Sequence, residues 1–286
     1  MKNLFLFASV LSGIALLTSC RKDFAESVQS AEDNSQVETE YSQIYDAVAD
    51  FSASNSITAK TDDYILPSGA VVTFTDSIFT DGDGVDFTID YGPLDHGASF
   101  KGILCKDGRY RAGKIRVGMA NKWSEVPDTL TISIPSSFEY YAGNGTNMYK
   151  LTGTKKIIRT TSTSYSVSVT NATLQRDNGT VTWDAERTIT QTYDAGIGWY
   201  GDEYEIAGSA TGINVNGEAF TVVTTAPLKK KLALGCLSTF VAGKLELTNV
   251  VSGKTLGIDY DSYGNEACDK TVTVTYNGRT KTITLW

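Results

Sequence analysis

The sequence predicts a mainly β protein: large antiparallel meander or sandwich-like sheets with one short N-terminal amphipathic helix. Three observations carry that expectation. From Ile65 onward, segments rich in Val, Ile, Thr and aromatics alternate with period two. Turn signals separate them, among them Asp177-Asn178-Gly179, Asn216-Gly217, Ser252-Gly253 and Asn277-Gly278. Asn-Gly between alternating runs suits a two-residue hairpin turn, because both residues tolerate positive φ. Before Ile65, one segment instead places apolar residues at three- and four-residue intervals.

Taken in order, Met1-Lys2-Asn3 gives one positive charge, and Leu4 to Leu17 is apolar apart from Ser9 and Ser12. That core, roughly 14 residues, is too short to span hydrocarbon and suits a cleaved export signal. Leu17-Thr18-Ser19-Cys20 resembles the bacterial lipobox, in which the cysteine thiol is acylated and the chain is cut before it. Several acyl chains on Cys20 would give a stable anchor where one would be marginal. The polar stretch from Arg21 to Gln36 reads as a tether. Ser35-x-x-Glu38 resembles a capping box. Tyr41, Ile44, Tyr45, Val48 and Phe51 then predict a helix from about Gln36 to Ser52. A polar linker follows.

The strand candidates are "AVVTFTD", "VDFTIDY", "GKIRVGM", "DTLTISI", "SYSVSVTNATL", "TVTWDAERTITQT", "EAFTVVTT", "GKLELTNV" and "TVTVTYNG". With partners among the less regular stretches, roughly 12 to 14 strands are expected. Threonine at so many alternate positions implies one wet sheet face. "AGKIRV", "TGTKKI", "AGSATG" and "AGKLEL" each place Gly near a strand start, at unequal gaps, so they read as a strand-edge device rather than a repeat. The expected organisation is a lipoprotein signal over 1–19, a lipidated tether over 20–36, helix and linker over 37–63 and an antiparallel β domain over 64–286. Subdivision is conceivable near 160 or 230. "PLKKKLALGC", from Pro227 to Cys236, breaks the alternation and is expected to cross between sheets.

Composition narrows the function. A net charge of -8 argues against nucleic acid as a partner. One histidine, His96, leaves little scope for imidazole metal sites or catalytic triads. With Cys20 assigned to lipid, Cys105, Cys236 and Cys268 allow three single bridges. A hairpin at Ser252-Gly253 would bring Cys236 and Cys268 together, which favours that pair and leaves Cys105 free. Asp81 to Asp86, "DGDGVD", and Asp259 to Asp269, "DYDSYGNEACD", are oxygen-rich loops that calcium can use. Neither has the fixed EF-hand spacing, so polar loops are the expectation and no metal or other cofactor is assigned.

Asp184 and Glu186 share a strand face about 6–7 Å apart, near the separation used in glycoside hydrolysis. That pairing would require a common concave pocket, and no catalytic residue is assigned. "YDAGIGWYGDEY" packs Tyr193, Trp199, Tyr200 and Tyr204 around three glycines. Such aromatics could stack on sugar rings, so these four are the candidate ligand-binding residues. "YYAGNGTNMY" looks alike.

In their order, "AEDNSQ" with its helix, "ILPSGAVVTF", "FTIDYG", "CKDGRYRAGKI", "AERTIT", "IAGSATGINVNGEAFTV" and "AGKLEL…GIDYDSYGNEACDKTVTVTYNGRTKTITL" resemble a group of uncharacterised lipoproteins from Bacteroidota bacteria. The resemblance spans nearly all of the mature chain. It implies a β-rich exported protein with a C-terminal cysteine pair, matching Cys236 and Cys268. It also implies a partner for Cys105 within the segment matching "LPSG", where this chain has Gly69. No activity follows from it. "RKDF", Arg21 to Phe24, is an imperfect match to the charged signal of surface-displayed lipoproteins.

The expected protein is therefore an outer-membrane lipoprotein of the cell envelope, periplasmic or surface-exposed. Its membrane partner is reached through the N-terminal lipid. Its expected role is a non-catalytic binding module, with glycan as a candidate ligand. The alternative is a structural or assembly component of an envelope complex.

Overall fold

The computed structural model describes residues 27–44, 67, 69–94, 102–105, 107–121, 126–196 and 201–285. A helix, α1, covers 27–44. Among the described residues sixteen strands follow: β1 (Val71–Asp76), β2 (Val85–Asp90), β3 (Ile103–Leu104), β4 (Tyr110–Ala112), β5 (Lys114–Met119), β6 (Asp128–Ile134), β7 (Tyr141–Gly143) and β8 (Met148–Arg159) make the first half. The second half is β9 (Ser164–Arg176), β10 (Gly179–Tyr193), β11 (Glu203–Ile213), β12 (Ala219–Lys231), β13 (Ala242–Asn249), β14 (Thr255–Asp259), β15 (Thr271–Tyr276) and β16 (Arg279–Thr284). No helix among the described residues is long and apolar enough to cross a membrane.

All sixteen strands belong to one antiparallel sheet, ordered β1-β2-β5-β6-β8-β9-β10-β11-β12-β13-β14-β15-β16. The short strands β3, β4 and β7 branch from β8 as a flap. Alternation explains the strands. In β10, Val181, Trp183, Ala185 and Arg187 are buried, while Thr182, Asp184, Glu186 and Thr188 face solvent. The Asn277-Gly278 turn has φ of 48° and 73°, the positive pair that a two-residue hairpin needs.

The recurrent glycines serve curvature. Gly153 in β8 has φ 131° and Gly208 in β11 has φ 146°. A Cβ on Gly153 would stand 2.7 Å from Ala172 Cα, and one on Gly208 would run into the Glu186 carbonyl. Register shifts fall beside both, between Thr152 and Thr154 and between Ile206 and Ser209. Gly243 in β13, with φ 116°, repeats the device opposite the shift between Ala226 and Lys229. Bulges and glycine kinks let a sheet coil instead of lying flat.

What the sheet coils around is α1. Its residues are buried apart from Gln29, Glu32 and Ser42, which are half-buried. Val28, Ala31, Val37, Tyr41 and Ile44 join the apolar core. Asp33, Asn34, Ser35, Gln36, Glu38, Thr39, Glu40 and Gln43 are equally buried. An apolar stripe facing the core was expected, but the helix is enclosed on all sides. Ion pairs make that tolerable: Arg187 of β10 holds Glu38, Arg109 beside β4 holds Glu40, and Arg176 of β9 holds Asp33. Arg111 Nη2 reaches the Gln43 carbonyl at 3.3 Å, so the β4 flap lies across the helix.

Three expectations change here. The helix begins by residue 27, so 27–36 is a buried helical segment instead of a tether. Ser35 therefore lies within the helix, and Glu38 is committed to Arg187 instead of the backbone cap. Three of the polar side chains that break apolar periodicity over 27–36 find partners on the sheet: Asn214 Nδ2 donates to Ser30 Oγ, Trp183 Nε1 to Asn34 Oδ1 and the Val215 amide to Asp33 Oδ2. Residues 45–52 of the expected helix lie outside the described residues. Third, Pro227 to Lys231 continues β12 within the single sheet instead of crossing to another, a bulge in the β12–β13 ladder accommodating the proline. The ladder is also continuous at 160, where β8 and β9 form a hairpin.

Candidate functional site

The hairpins sort to two ends of the sheet. Residues 177–178, 214–218, 250–254 and 277–278 surround the start of α1. Residues 160–163, 194–196, 201–202, 232–241 and 260–270 lie beyond its other end, where Gln43 Nε2 donates to the Ser238 carbonyl. A cleft of about 60 Å³ opens toward that second end. Ser42 of α1 and Ile157, Tyr165, Ile189, Tyr204, Ile206 and Leu232 from β8 to the end of β12 form most of its wall.

Lys155 and Lys230 complete it. Both are buried, and Lys155 Nζ donates to the Tyr41 carbonyl at 2.7 Å, close to the end of α1. The three-lysine run now has a reason. Lys229 and Lys231 point outward to Glu203 and Glu266, whereas Lys230 turns inward to the cleft. Lys229 and Lys231 in turn hold the Glu266 carboxyl below its ordinary value by hydrogen bonding and charge. The cleft thus combines apolar walls, two tyrosine rings and two cationic side chains.

Tyr204 is fixed by the buried Asp202. The Asp202 carboxylate accepts from Tyr204 OH at 3.2 Å, Gln191 Nε2 at 2.9 Å and the Ala195 amide at 3.0 Å. Burial raises the Tyr165 hydroxyl's pKa, so its ring stands in the wall as a neutral phenol at neutral pH. Of the four candidate aromatics, Tyr204 alone among the described residues lines this cleft. Tyr193 pairs with Glu203, the neighbour of Tyr204, so it takes the opposite face and is exposed. Trp199 and Tyr200 lie outside the described residues. Ile189, Ile206 and Lys230 were missed as site residues. Their signal, inward alternation toward the strand ends, is indistinguishable from core packing in sequence.

The other candidates resolve individually. Cys236 and Cys268 form a disulfide with Cα atoms 4.8 Å apart. It ties the 232–241 connection to the 260–270 connection at the cleft end. Cys105 is free and buried, and burial pushes its thiol up, which makes it unreactive. Cys20 lies outside the described residues. Asp184 and Glu186 both stand on the exposed outer face, and Asp184 Oδ1 accepts the Asn171 amide at a bulge. They do not share a concave pocket in the way paired glycosidase acids must.

Asp76, Asp81 and Asp83 bring carboxylate oxygens within 4.8 Å of one another on an exposed hairpin. Hydrogen bonding and charge from Asp81 raise Asp83. Asp86, in contrast, pairs with Arg116. In the second acidic loop, Asp261 accepts the amides of Asn265 and Glu266 at 2.9 and 3.1 Å, and Asp259 accepts that of Asp261 at 2.9 Å. Those carboxylates organise the loop itself.

A second buried polar group lies under the flap. Arg111 binds Asp107 through two nitrogens, at 3.0 and 2.6 Å. Burial acts to raise Asp107, but the charge and hydrogen bonds of Arg111 outweigh it and hold the carboxyl below its ordinary value. Tyr140, buried nearby, is pushed up to about 12 by desolvation. This group locks the flap onto α1 and is structural.

Comparison with protein-family models, curated proteins and solved structures finds no match to this chain.

Proposed function

We propose that this chain is a lipid-anchored binding module of the cell envelope, and that it holds its ligand in the cleft lined by Tyr204, Tyr165, Lys155 and Lys230. The observation that carries the reading is a small, apolar-walled recess on a rigid sheet, faced by two tyrosine rings and with the buried side chains of Lys155 and Lys230 in its wall. An acidic ligand with an apolar or ring face suits those walls, and a glycan carrying a carboxylate belongs to that class. The lipobox at Cys20 supports the anchor, and the resemblance to Bacteroidota lipoproteins supports the envelope location.

The test is a glycan array probed with the mature chain from Arg21 onward. Binding to acidic glycans that disappears in Ile206→Trp, with thermal stability retained, supports the reading. Equal binding by wild type and Ile206→Trp overturns the cleft as the site. Mass spectrometry of the mature N-terminus tests the anchor, and an unmodified Cys20 defeats it.

A second reading is favoured by one observation. Among the described residues β1 pairs only with β2, and its sequence, Val71 to Asp76, carries no lysine or arginine to guard an edge. Strand addition there would make the chain an assembly component. Thr73→Pro would then abolish co-purification of a partner.

A further inference from the structure

We infer that the β13–β14 hairpin tip, led by Val250 and Val251, is the surface this protein lays against the lipid bilayer. The inference rests on the proposed acylation of Cys20. Val250 and Val251 are 56% and 89% exposed, adjacent in sequence and at the end of a hairpin. That hairpin is bonded to the start of α1: Asn249 Nδ2 donates to the Ser27 carbonyl at 3.3 Å, and Lys254 Nζ donates to Ser27 Oγ at 3.1 Å.

Chain length decides which end meets the membrane. Six residues separate Cys20 from Ser27. Fully extended, they reach ~25 Å. The helix from 27 to 44 carries the far end another ~26 Å away. The other exposed apolar tips, Leu234, Tyr263, Ile78 and Val126, belong to that far end, the first two in the connections tied by Cys236–Cys268. An anchor at Cys20 could bring them to the bilayer plane only by laying a fully stretched tether along the outside of the whole sheet. The near rim needs no such stretch.

The near rim also has interfacial chemistry. The Lys254 ammonium stands 5.9 Å from the Tyr276 ring centroid, Arg279 is exposed beside the 277–278 turn, and Lys281 pairs with Glu32. An apolar tip ringed by polar and charged side chains of both signs, Asp177 and Glu218 among them, suits the headgroup layer, with the valines entering the acyl boundary. In this orientation the cleft opens away from the bilayer.

The test couples the mature chain through its Cys20 thiol to phosphatidylcholine vesicles bearing a maleimide lipid. Cys105 is buried and Cys236–Cys268 is bonded, so Cys20 is the thiol that reacts. Amide hydrogen exchange is read by mass spectrometry on the coupled and free chains. Exchange over 250–254 slowed several-fold on vesicles, with 233–238 and 261–265 unchanged, supports the proposal. The slowing should vanish in the Val250→Ser/Val251→Ser double variant while the sheet core keeps its protection. Slowing at 233–238, or at neither end, overturns the orientation even if cellular Cys20 is acylated. An unmodified Cys20 in the cellular protein overturns the anchor and this orientation together.

Discussion

Arg187 and Glu38, 149 positions apart, form a buried two-point ion pair, with Nε to Oε1 at 3.0 Å and Nη2 to Oε2 at 2.5 Å. The pair joins the middle of the longest strand to the middle of the enclosed helix. Removing one partner leaves a charge where water cannot reach it, which costs about 3–5 kcal/mol. Arg187→Met and Glu38→Leu should each lower the free energy of unfolding in urea by that amount. The double variant should recover most of the loss, since neither charge then remains buried.

Gly208→Ala should destabilise by more than the ordinary cost of a surface change. Its φ of 146° disfavours any side chain, and the new methyl would run into the Glu186 carbonyl. Strain of this kind costs of order 1–3 kcal/mol. Gly217→Ala, at a turn with open space around it, separates the two contributions, because only the φ penalty applies there. Thermal melts of both variants make the comparison, and the larger drop belongs to Gly208→Ala.

Acid should loosen the flap through Asp107. Its folded pKa is depressed below the ordinary 3.8. Its contribution is therefore full above that ordinary value and is lost as pH falls from it through the lowered one. Glu40 works in the opposite direction: burial raises it in spite of Arg109, so its ionisation costs stability as pH rises above the ordinary 4.5. Melting temperature followed from pH 7 downward should show an acid limb that is weakened in Asp107→Asn. That variant should also melt lower at pH 7, because Arg111 loses its partner.

Much of the sheet was legible because each strand's alternation and each turn's chemistry are local. Asp177-Asn178-Gly179 and Asn277-Gly278 turn the chain where their residues demand it. The helix was misplaced because its stability is not local. Asp33, Asn34 and Glu38 look like solvated residues until Arg176, Trp183 and Arg187 arrive from strands far along the chain. The cleft was hidden for a similar reason. Lys230 sits in a run of three lysines, and only strand register shows that it faces inward while its neighbours meet Glu203 and Glu266. Tyr204 was legible as an aromatic beside glycines, but its separation from Tyr193 onto the other sheet face depends on the β10–β11 register.

Reducing the disulfide should loosen the cleft end in preference to the rim near Ser27. Cys236 and Cys268 close a loop of 32 residues, for which chain entropy predicts about 3–4 kcal/mol. Cys236→Ser/Cys268→Ser should fold, unfold at lower denaturant, and exchange amides faster over 232–241 and 260–270. Exchange over 250–254 should change little, since that hairpin is held by Asn249 and Lys254.

Ligand binding should separate the ring of Tyr204 from its hydroxyl. The ring is part of the cleft wall, whereas the hydroxyl is spent on Asp202, which also holds Gln191 and the Ala195 amide. Tyr204→Ala removes the stacking face and should weaken binding of an acidic, ring-bearing ligand roughly tenfold. Tyr204→Phe keeps that face and should bind within a few-fold of wild type. Lys230→Met keeps the apolar stem and removes the charge, so it should weaken an acidic ligand while leaving a neutral analogue unaffected. Calorimetric titration of the three variants with an acidic and a neutral glycan reads all of these. Equal losses for both ligands in Lys230→Met would show that charge plays no part in recognition, and an unchanged Tyr204→Ala would move the site away from this cleft.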